Sequence, residues 1–369
     1  MRIAFLTTLY MPCLGGAEIF LHHLVSDMVR RGHHAVVIAP GSRKHHKAFK
    51  MTYPYMRTFR ARSKRYMVGN ALPSLLTAHM FHRFDLVHCQ GEYHETMAAY
   101  YFRRMTGVPY VCRPIGGGFT NAEEHPKVQK KLSKALSDVS LMFAQGSFLK
   151  QRILDYGIPA EKIVTINNGV RLDEIRAFKG KTPVITPPYL FFAGGLKPVK
   201  GYDIALKAFA RVSRSYPDLK LVMMGIDQKK EHFNRLISEL GLDRRVVYLH
   251  WCDRPTTANL FCHAEIYLCP FHRSPFSNAN LEALAAGVPI IATAVEGNLE
   301  QIRDGVEGYL IPADDVDALA AKIEQIISNP ELRNHLGKNA LARSYAFDWK
   351  YMVDRYEKSY EQVLSSNSC

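Results

Sequence analysis

Short apolar runs alternate along this chain with longer stretches whose apolar positions recur every three or four residues. Strands buried on both faces, interleaved with amphipathic helices, leave that pattern. It predicts an α/β fold of parallel sheets with helices on both faces. The first half predicts strands at 2–7, 35–39, 85–89, 109–113, 140–144 and 163–166. Helices are expected at 17–31, where Gly32 supplies the stop, at 93–105, over a lysine-rich stretch before the fifth of these strands, and at 147–156. A second series of strands begins at 189–193 and continues at 219–224, 246–249, 265–269, 289–293 and 309–311. Between the two series, Phe178 to Pro188 has the proline density of a linker. The expected division is a first domain over 1–177, a second over 189–349, and a closing helical stretch from about Trp349 to Val363.

Bulk properties agree with two domains. At 369 residues the chain exceeds what one core usually holds, and its 47% hydrophobic content suffices for two. No apolar run approaches the ~18 residues that a membrane-spanning helix needs. The apolar start Ile3-Ala4-Phe5-Leu6 is short and strand-like rather than a signal peptide, so the expected location is the cytosol. Cys13, Cys89, Cys112, Cys252, Cys262, Cys269 and Cys369 form no CxxC pair and are odd in number, which points to reduced thiols. Cys252, Cys262 and His263 fit no standard zinc spacing, and no metal is expected.

The charge does change the picture. With 48 basic against 34 acidic residues the net charge is +14, and the excess is clustered. Arg57, Arg60, Arg62, Lys64 and Arg65 form one group; Lys127, Lys130, Lys131 and Lys134, spaced for one helical face, form another. Two alternatives stand: a solvated basic surface, or attraction to an anionic membrane surface into which Tyr53, Tyr55, Phe59, Tyr66 and Met67 could insert. No nucleic-acid motif accompanies the charge.

Candidate chemistry concentrates in the segment from Ser274 to Thr293, which reads as a loop, a short helix, a stop and a buried strand. Ser277 can cap the helix, Gly287 can end it in a left-handed residue, and Pro289 follows where no helix continues. Backbone N–H groups near Ser277 and Asn278, with the positive dipole end, suit a phosphate, and Glu282 about one turn on can accept from a sugar hydroxyl. Gly15 and Gly16 after the first strand permit a close backbone approach, and Lys200 sits in a glycine-rich strand-to-helix turn, Gly194-Gly195-Leu196-Lys197-Pro198-Val199-Lys200-Gly201.

Taken with Asn168-Gly169-Val170, Gly297-Asn298-Leu299-Glu300 and Asp304 to Pro312, these pieces in this order resemble the retaining glycosyltransferases of family 4, over nearly the whole chain. The resemblance implies two Rossmann-like doubly wound domains facing each other across a cleft (GT-B), with the final helix, about 350–369, packing back on the first domain. It implies a nucleotide diphosphosugar as co-substrate, no cofactor and no metal. Gly15, Gly16, Gly194, Gly195, Lys197, Lys200, Ser274, Phe276, Ser277, Asn278 and Glu282 would bind the donor, with Lys200 neutralising the departing diphosphate and Glu282 holding the ribose. Acceptor contacts would come from the first domain, from Glu92, His94 and Arg113; Glu92 and His94 follow a strand end, and each competes with an ordinary capping or surface role.

Three positions depart from the family pattern. Gly195 stands where an Arg is usual, with Lys197 nearby; Ser274 stands where a Glu precedes the ribose Glu by eight residues; and Ile115, in Arg113-Pro114-Ile115-Gly116-Gly117-Gly118, stands at the usual His, leaving Arg113 as a compensating charge. Two functions follow: a transferase moving sugar from a UDP- or GDP-sugar to a hydroxyl of a glycan, glycolipid or small molecule, or a degenerate nucleotide-sugar-binding regulator on the same fold. A related enzyme on the same fold, an epimerase or a phosphorylase, is a lesser alternative, and a phosphorylase would want extra length and a pyridoxal-phosphate lysine motif that this sequence does not display.

Overall fold

The computed structural model describes residues 1–8, 10, 15–40, 55–58, 67–115, 126–225, 230–274 and 276–367. Contacts divide the chain into two compact units, Met1–Asn167 with Met352–Cys369, and Asn168–Tyr351.

In the first unit β1 (Arg2–Thr7), β2 (His34–Pro40), β3 (Tyr55–Thr58), β4 (Leu86–Gln90), β5 (Tyr110–Arg113), β6 (Leu141–Ala144) and β7 (Ile163–Thr165) form one parallel sheet in the order β3-β2-β1-β4-β5-β6-β7. Strand alternation sorts their side chains. Ala4, Leu6, Val36, Ile38, Val87, Cys89 and Cys112 turn to one face, which the helices Met67–His82, His94–Thr106 and Pro126–Ser137 cover with Leu75, Phe102 and Leu132 among others. Phe5, His88 and Phe143 turn to the opposite face. There Phe20 of the Gly16–Arg30 helix and Tyr356 of the Trp349–Ser366 helix close over them, with Phe143 and Tyr356 ring centroids 4.5 Å apart. Arg31 bonds Asp354 at 2.5 Å and His33 bonds Glu357 at 2.7 Å, clamping the same final helix from its exposed side.

In the first sheet and the helices that cover it, β3 and the Met67–His82 helix go beyond the sequence expectation. The strand is a four-residue edge beside a basic stretch, and the helix contains Pro73, so neither carries a strong periodic signal. Ala71, Leu75 and Ala78, spaced by four and three, nevertheless bury one helical face.

The second unit repeats the plan. β8 (Tyr189–Ala193), β9 (Lys220–Met224), β10 (Val246–Leu249), β11 (Ile266–Cys269), β12 (Ile290–Thr293) and β13 (Gly308–Ile311) form a parallel sheet in the order β10-β9-β8-β11-β12-β13. Tyr189 to Phe192 and Ile266 to Cys269 are all fully buried, as expected for central strands covered on both faces. The proline-dense segment 178–188 belongs to this unit instead of joining the two. Leu172 and Ile175 ahead of it are already in the second core. Asn259 then grips the segment itself, donating to the Thr182 carbonyl and accepting from the Val184 N–H, each at 2.9 Å. Val170 N–H donates to the Phe347 carbonyl at 2.9 Å, which ties the unit's two ends together.

Burial of His88 has a thermodynamic consequence. Its Nδ1 is hydrogen-bonded with the Tyr360 hydroxyl at 2.8 Å, and burial, reinforced by the Arg113 charge, pushes its pKa down to about 3. The unfolded imidazole takes a proton near pH 6.5 that the folded one refuses. Its contribution to stability is therefore complete above that pH and declines as pH falls toward about 3. Urea midpoints between pH 7 and pH 5 should fall less steeply for His88→Gln than for the parent chain; equal slopes would remove His88 as the source.

Candidate functional site

In each sheet the order reverses between two neighbouring strands, β1 and β4 in the first and β8 and β11 in the second. Open parallel sheets of this kind bind ligands beyond the carboxyl ends of those strands.

In the second unit the chain leaves β8 through Gly194 and Gly195, passes Lys197, which is exposed, and makes a single turn, Pro198–Lys200. Gly201 follows with φ +61°, and a Cβ there would run into the Pro270 carbonyl oxygen just after β11. The His272 N–H bonds the Val199 carbonyl at 3.0 Å, so the two strand-end loops are locked together by backbone. That lock carries Lys200 inward, its Nζ 4.1 Å from the centroid of the Phe271 ring. Burial lowers the ammonium's pKa below the ordinary lysine value; Cys269 and Glu296 oppose the shift and Lys197 adds to it. Phe271 is held in turn against Gly194, where a Cβ would come within 3.1 Å of the ring.

The helix Asn278–Ala286 starts beside this turn. Ser277 Oγ accepts from the Asn280 N–H at 3.3 Å and Gly287 ends the helix at φ +74°, the cap and stop expected from the sequence. Beneath it lies a polar network. Asn280 Nδ2 donates to Asn298 Oδ1 and Gln301 Oε1, each at 2.9 Å; Asn298 Nδ2 donates to the Thr293 carbonyl at 2.9 Å, and Gln301 Nε2 to the Ser277 carbonyl at 2.7 Å. Asn280, Asn298 and Gln301 are fully buried, so these bonds form where water cannot compete. The Ser277 N–H is drawn into the same network by Gln301 Oε1 at 3.3 Å, which removes it from the anion-facing donors expected of it.

Glu282 is half-buried and ion-paired with Arg254 Nη1. Asn278 accepts from the Asn168 amide at 2.7 Å, and Phe276 packs its ring 6.0 Å from that of Phe347. Ser274 is buried; its N–H donates to Glu296 Oε2 at 2.9 Å, and its carbonyl accepts from the Gly297 N–H at 2.9 Å. Lys200, Gly194, Ser274 and Phe276 to Glu282 thus belong to loops and a helix start at one edge of the second sheet.

The first-unit candidates fare differently. Gly15 precedes the Gly16–Arg30 helix, but the side chain of Glu18 folds back to accept from the Gly15 N–H and its own, and burial raises its pKa. A carboxyl already fills the helix end expected to hold a phosphate, so the Gly15-Gly16 pair is better explained by room for Glu18, against which a Cβ at Gly15 would collide. Arg113 is no exposed acceptor contact: it is 1% exposed, with its guanidinium carbon 3.6 Å from the Phe20 ring centroid. Glu92 is buried and accepts from the Ile115 N–H at 2.9 Å, a bond that shapes the loop. His94 begins the His94–Thr106 helix half-buried against Tyr93. Gly116 to Gly118 lie outside the described residues, as do the side chains of the basic cluster at 57–65.

Several participants escaped sequence reasoning. Arg254, at the start of the Arg254–Cys262 helix, and Glu296, on the loop after β12, sit on other elements from the residues they bind, and Asn280, Asn298 and Gln301 look like ordinary polar positions until folding buries them. Glu95 in the first unit is buried, accepts from the Thr8 N–H at 2.7 Å, and has its pKa raised by burial to about 7. The five described cysteines are free thiols; Cys262 donates to the Ile175 carbonyl at 3.2 Å and His263 bonds the Asn259 carbonyl. Among the described residues no group of His, Cys, Asp and Glu is arranged to hold a metal ion. Because Gly201 has neither the φ nor the space for a side chain, Gly201→Ala should destabilise the second unit by about 1–3 kcal/mol, read as a lowered Tm; an unchanged Tm would contradict the backbone lock.

Two family models match in succession. The Glycosyltransferase Family 4 model covers residues 14–174, and the group 1 glycosyl transferase model covers residues 174–343. A putative glycosyltransferase of Bacillus subtilis, YtcC, is 26% identical over 254 residues, 63% of this chain and 62% of that one, so the match spans less than two thirds of its relative. Among solved structures, sucrose-phosphate synthase from Thermosynechococcus elongatus superposes with a TM-score of 0.86 at 19% identity, covering 99% of each chain. Anabaena HepE, in complex with UDP and glucose, gives 0.80 at 19% identity, covering 98% of this chain and 100% of that one. These superpositions show a shared fold, and the two adjoining family models identify the chain as a two-Rossmann-domain member of the family 4 glycosyltransferases.

Proposed function

We propose that this protein transfers a sugar from a nucleotide diphosphosugar, a UDP- or GDP-sugar, to a hydroxyl of a glycan, glycolipid or small molecule, with retention at the anomeric carbon. The observation that carries it is Lys200: an ammonium lodged over Phe271 at the carboxyl edge of the second sheet, beside a capped helix start and the Arg254–Glu282 pair. A nucleotide fits this edge in an orderly way. First-turn N–H groups at Asn278 and Ala279 face phosphate, Glu282 accepts from the ribose, and Lys200 meets the diphosphate.

As the bond from the anomeric carbon to the diphosphate breaks, its electron pair stays on the departing oxygen and the acceptor oxygen forms the new bond. Charge therefore grows on the diphosphate in the transition state. A positioned cation there lowers the barrier without reorganising, and the charge of an approaching anion offsets the desolvation that depresses the Lys200 pKa. Arg254 holds one oxygen of Glu282, which orients the carboxylate before the nucleotide arrives. No step in this scheme calls for a metal. HepE was solved with UDP and glucose, which supports a nucleotide-sugar donor for a chain of the same fold.

Lys200→Ala should lower turnover by ~10²-fold or more, while Glu282→Ala should chiefly weaken nucleotide binding, both followed by mass-spectrometric release of sugar from UDP- and GDP-sugars. Unchanged kinetics in both variants would sink the site. A thermal shift with the nucleotides but no turnover with any acceptor would favour the degenerate binding protein.

Attachment to an anionic membrane surface is supported by a face of the first unit. Met80 and Phe81 on one helix, and Tyr101 and Met105 on the next, are exposed, at 67%, 78%, 43% and 64%. On the third helix of that face Lys127, Lys130, Lys131 and Lys134 are all exposed. Apolar side chains flanked by lysines suit a headgroup layer of negative lipids. The chain should float with phosphatidylglycerol vesicles and not with phosphatidylcholine, and Lys130→Glu with Lys131→Glu should reduce flotation; equal recovery on both lipids would overturn this. No described helix is long and apolar enough to cross a membrane.

A further inference from the structure

The geometry points to Glu296 as a sugar-contacting carboxylate of the donor site, delivered from the loop after β12 to the place beside Ser274 where that residue has no carboxylate of its own. The inference rests on the donor-site reading above and deepens it.

Four observations converge. Glu296 is a non-glycine residue at φ +37°, a conformation that side chains rarely adopt and that folds retain where the surrounding structure imposes it. Its carboxylate is turned inward, with the side chain only 12% exposed, although it lies on a loop whose neighbour Ala294 is exposed. Oε2 accepts from the Ser274 N–H at 2.9 Å and Oε1 from Arg273 Nε at 3.3 Å, so both oxygens are aimed at the loop that follows β11. The Ser274 hydroxyl beside it is buried without a hydrogen-bond partner among the described residues. A carboxylate oxygen can accept more than one hydrogen bond, so each retains capacity for a sugar hydroxyl.

The electrostatics agree with this placement. Glu296 counters the burial of Lys200, so the two charges sense one another across the same loop edge. A cation assigned to the diphosphate and a carboxylate on its sugar side would bracket the bond that breaks. Sequence spacing hides this: Glu296 is twenty-two residues from Ser274, and only the pairing of their two loops through Gly297 N–H and the Ser274 carbonyl, at 2.9 Å, brings it in.

A purely structural carboxylate would brace the loop and do nothing more, and the test separates the two. Glu296→Gln keeps an oxygen to accept from Ser274 while removing the charge. Glu296→Gly relieves the left-handed backbone and removes the group. Binding and turnover are measured with UDP, UDP-glucose, UDP-N-acetylglucosamine, GDP and GDP-mannose, alongside Tm. Both variants should lower kcat/KM for the sugar nucleotide used by the parent chain about tenfold or more, because a charge-assisted bond is lost. Affinity for the corresponding free nucleotide should change less than about twofold, and Glu296→Gly should not lower Tm. Parent-like kcat/KM in Glu296→Gln overturns the assignment, as does an equal loss of affinity for UDP or GDP, which would make Glu296 a brace. If the unaltered chain binds none of the five compounds, the donor-site reading itself fails and the assignment falls with it.

Discussion

A sheet made wholly of parallel strands must be covered on both faces, because its connections run over those faces and its strands are apolar on each. Both units obey that constraint. It also decides where chemistry can occur: every strand points the same way, so the loops with freedom to vary collect at one edge, and the reversal of strand order opens that edge between two loops. Lys200 and Ser274 are brought to one edge of the second sheet for this reason, and Thr8 and Glu95 are brought to one edge of the first.

At the second sheet's edge the positions of charged groups are set by close backbone contact and buried amides. Gly201 lets the turn after β8 lie directly on the chain after β11, and that contact lodges Lys200 over Phe271. Asn280, Asn298 and Gln301 fasten the helix start to the segment after β12, with each bond shielded from solvent. Hydrogen bonds made out of reach of water are stronger than exposed ones. The Arg254–Glu282 pair joins two helices and the Arg273–Glu296 pair joins two loops, each across elements distant in the chain.

The first unit answers the same constraint with different chemistry. Its edge is closed by carboxyl groups bonded to backbone: Glu18 to Gly15, Glu92 to Ile115 and Glu95 to Thr8. Burial raises the pKa of Glu18 and takes that of Glu95 to about 7. On the covered face behind this edge, Arg113 lies on Phe20 and His88 is hydrogen-bonded with the Tyr360 hydroxyl, so the final helix is held by aromatic and polar contacts at once.

How much was legible without coordinates differs by kind of feature. Strand and helix order followed from local periodicity, and so did the Ser277 cap and the Gly287 stop, because capping and left-handed turns are decided by a residue and its near neighbours. The family resemblance of the Ser274–Thr293 segment rested on the same local order. β3 and the helix over Pro73 escaped because their signals are short or interrupted. The assignment of 178–188 to the second unit depended on Asn259, some seventy-five residues away. Arg113 looked like an available charge, and only the packing of Phe20 over it revealed a buried one. The chain alone thus determined which elements form and which residues stand near the strand ends, since those are short-range matters of pattern and turn chemistry. Which carboxylate pairs with which cation, and whether a polar side chain faces a ligand or the core, was decided by tertiary structure, because burial and loop-to-loop contact join residues whose spacing along the chain carries no trace of the encounter.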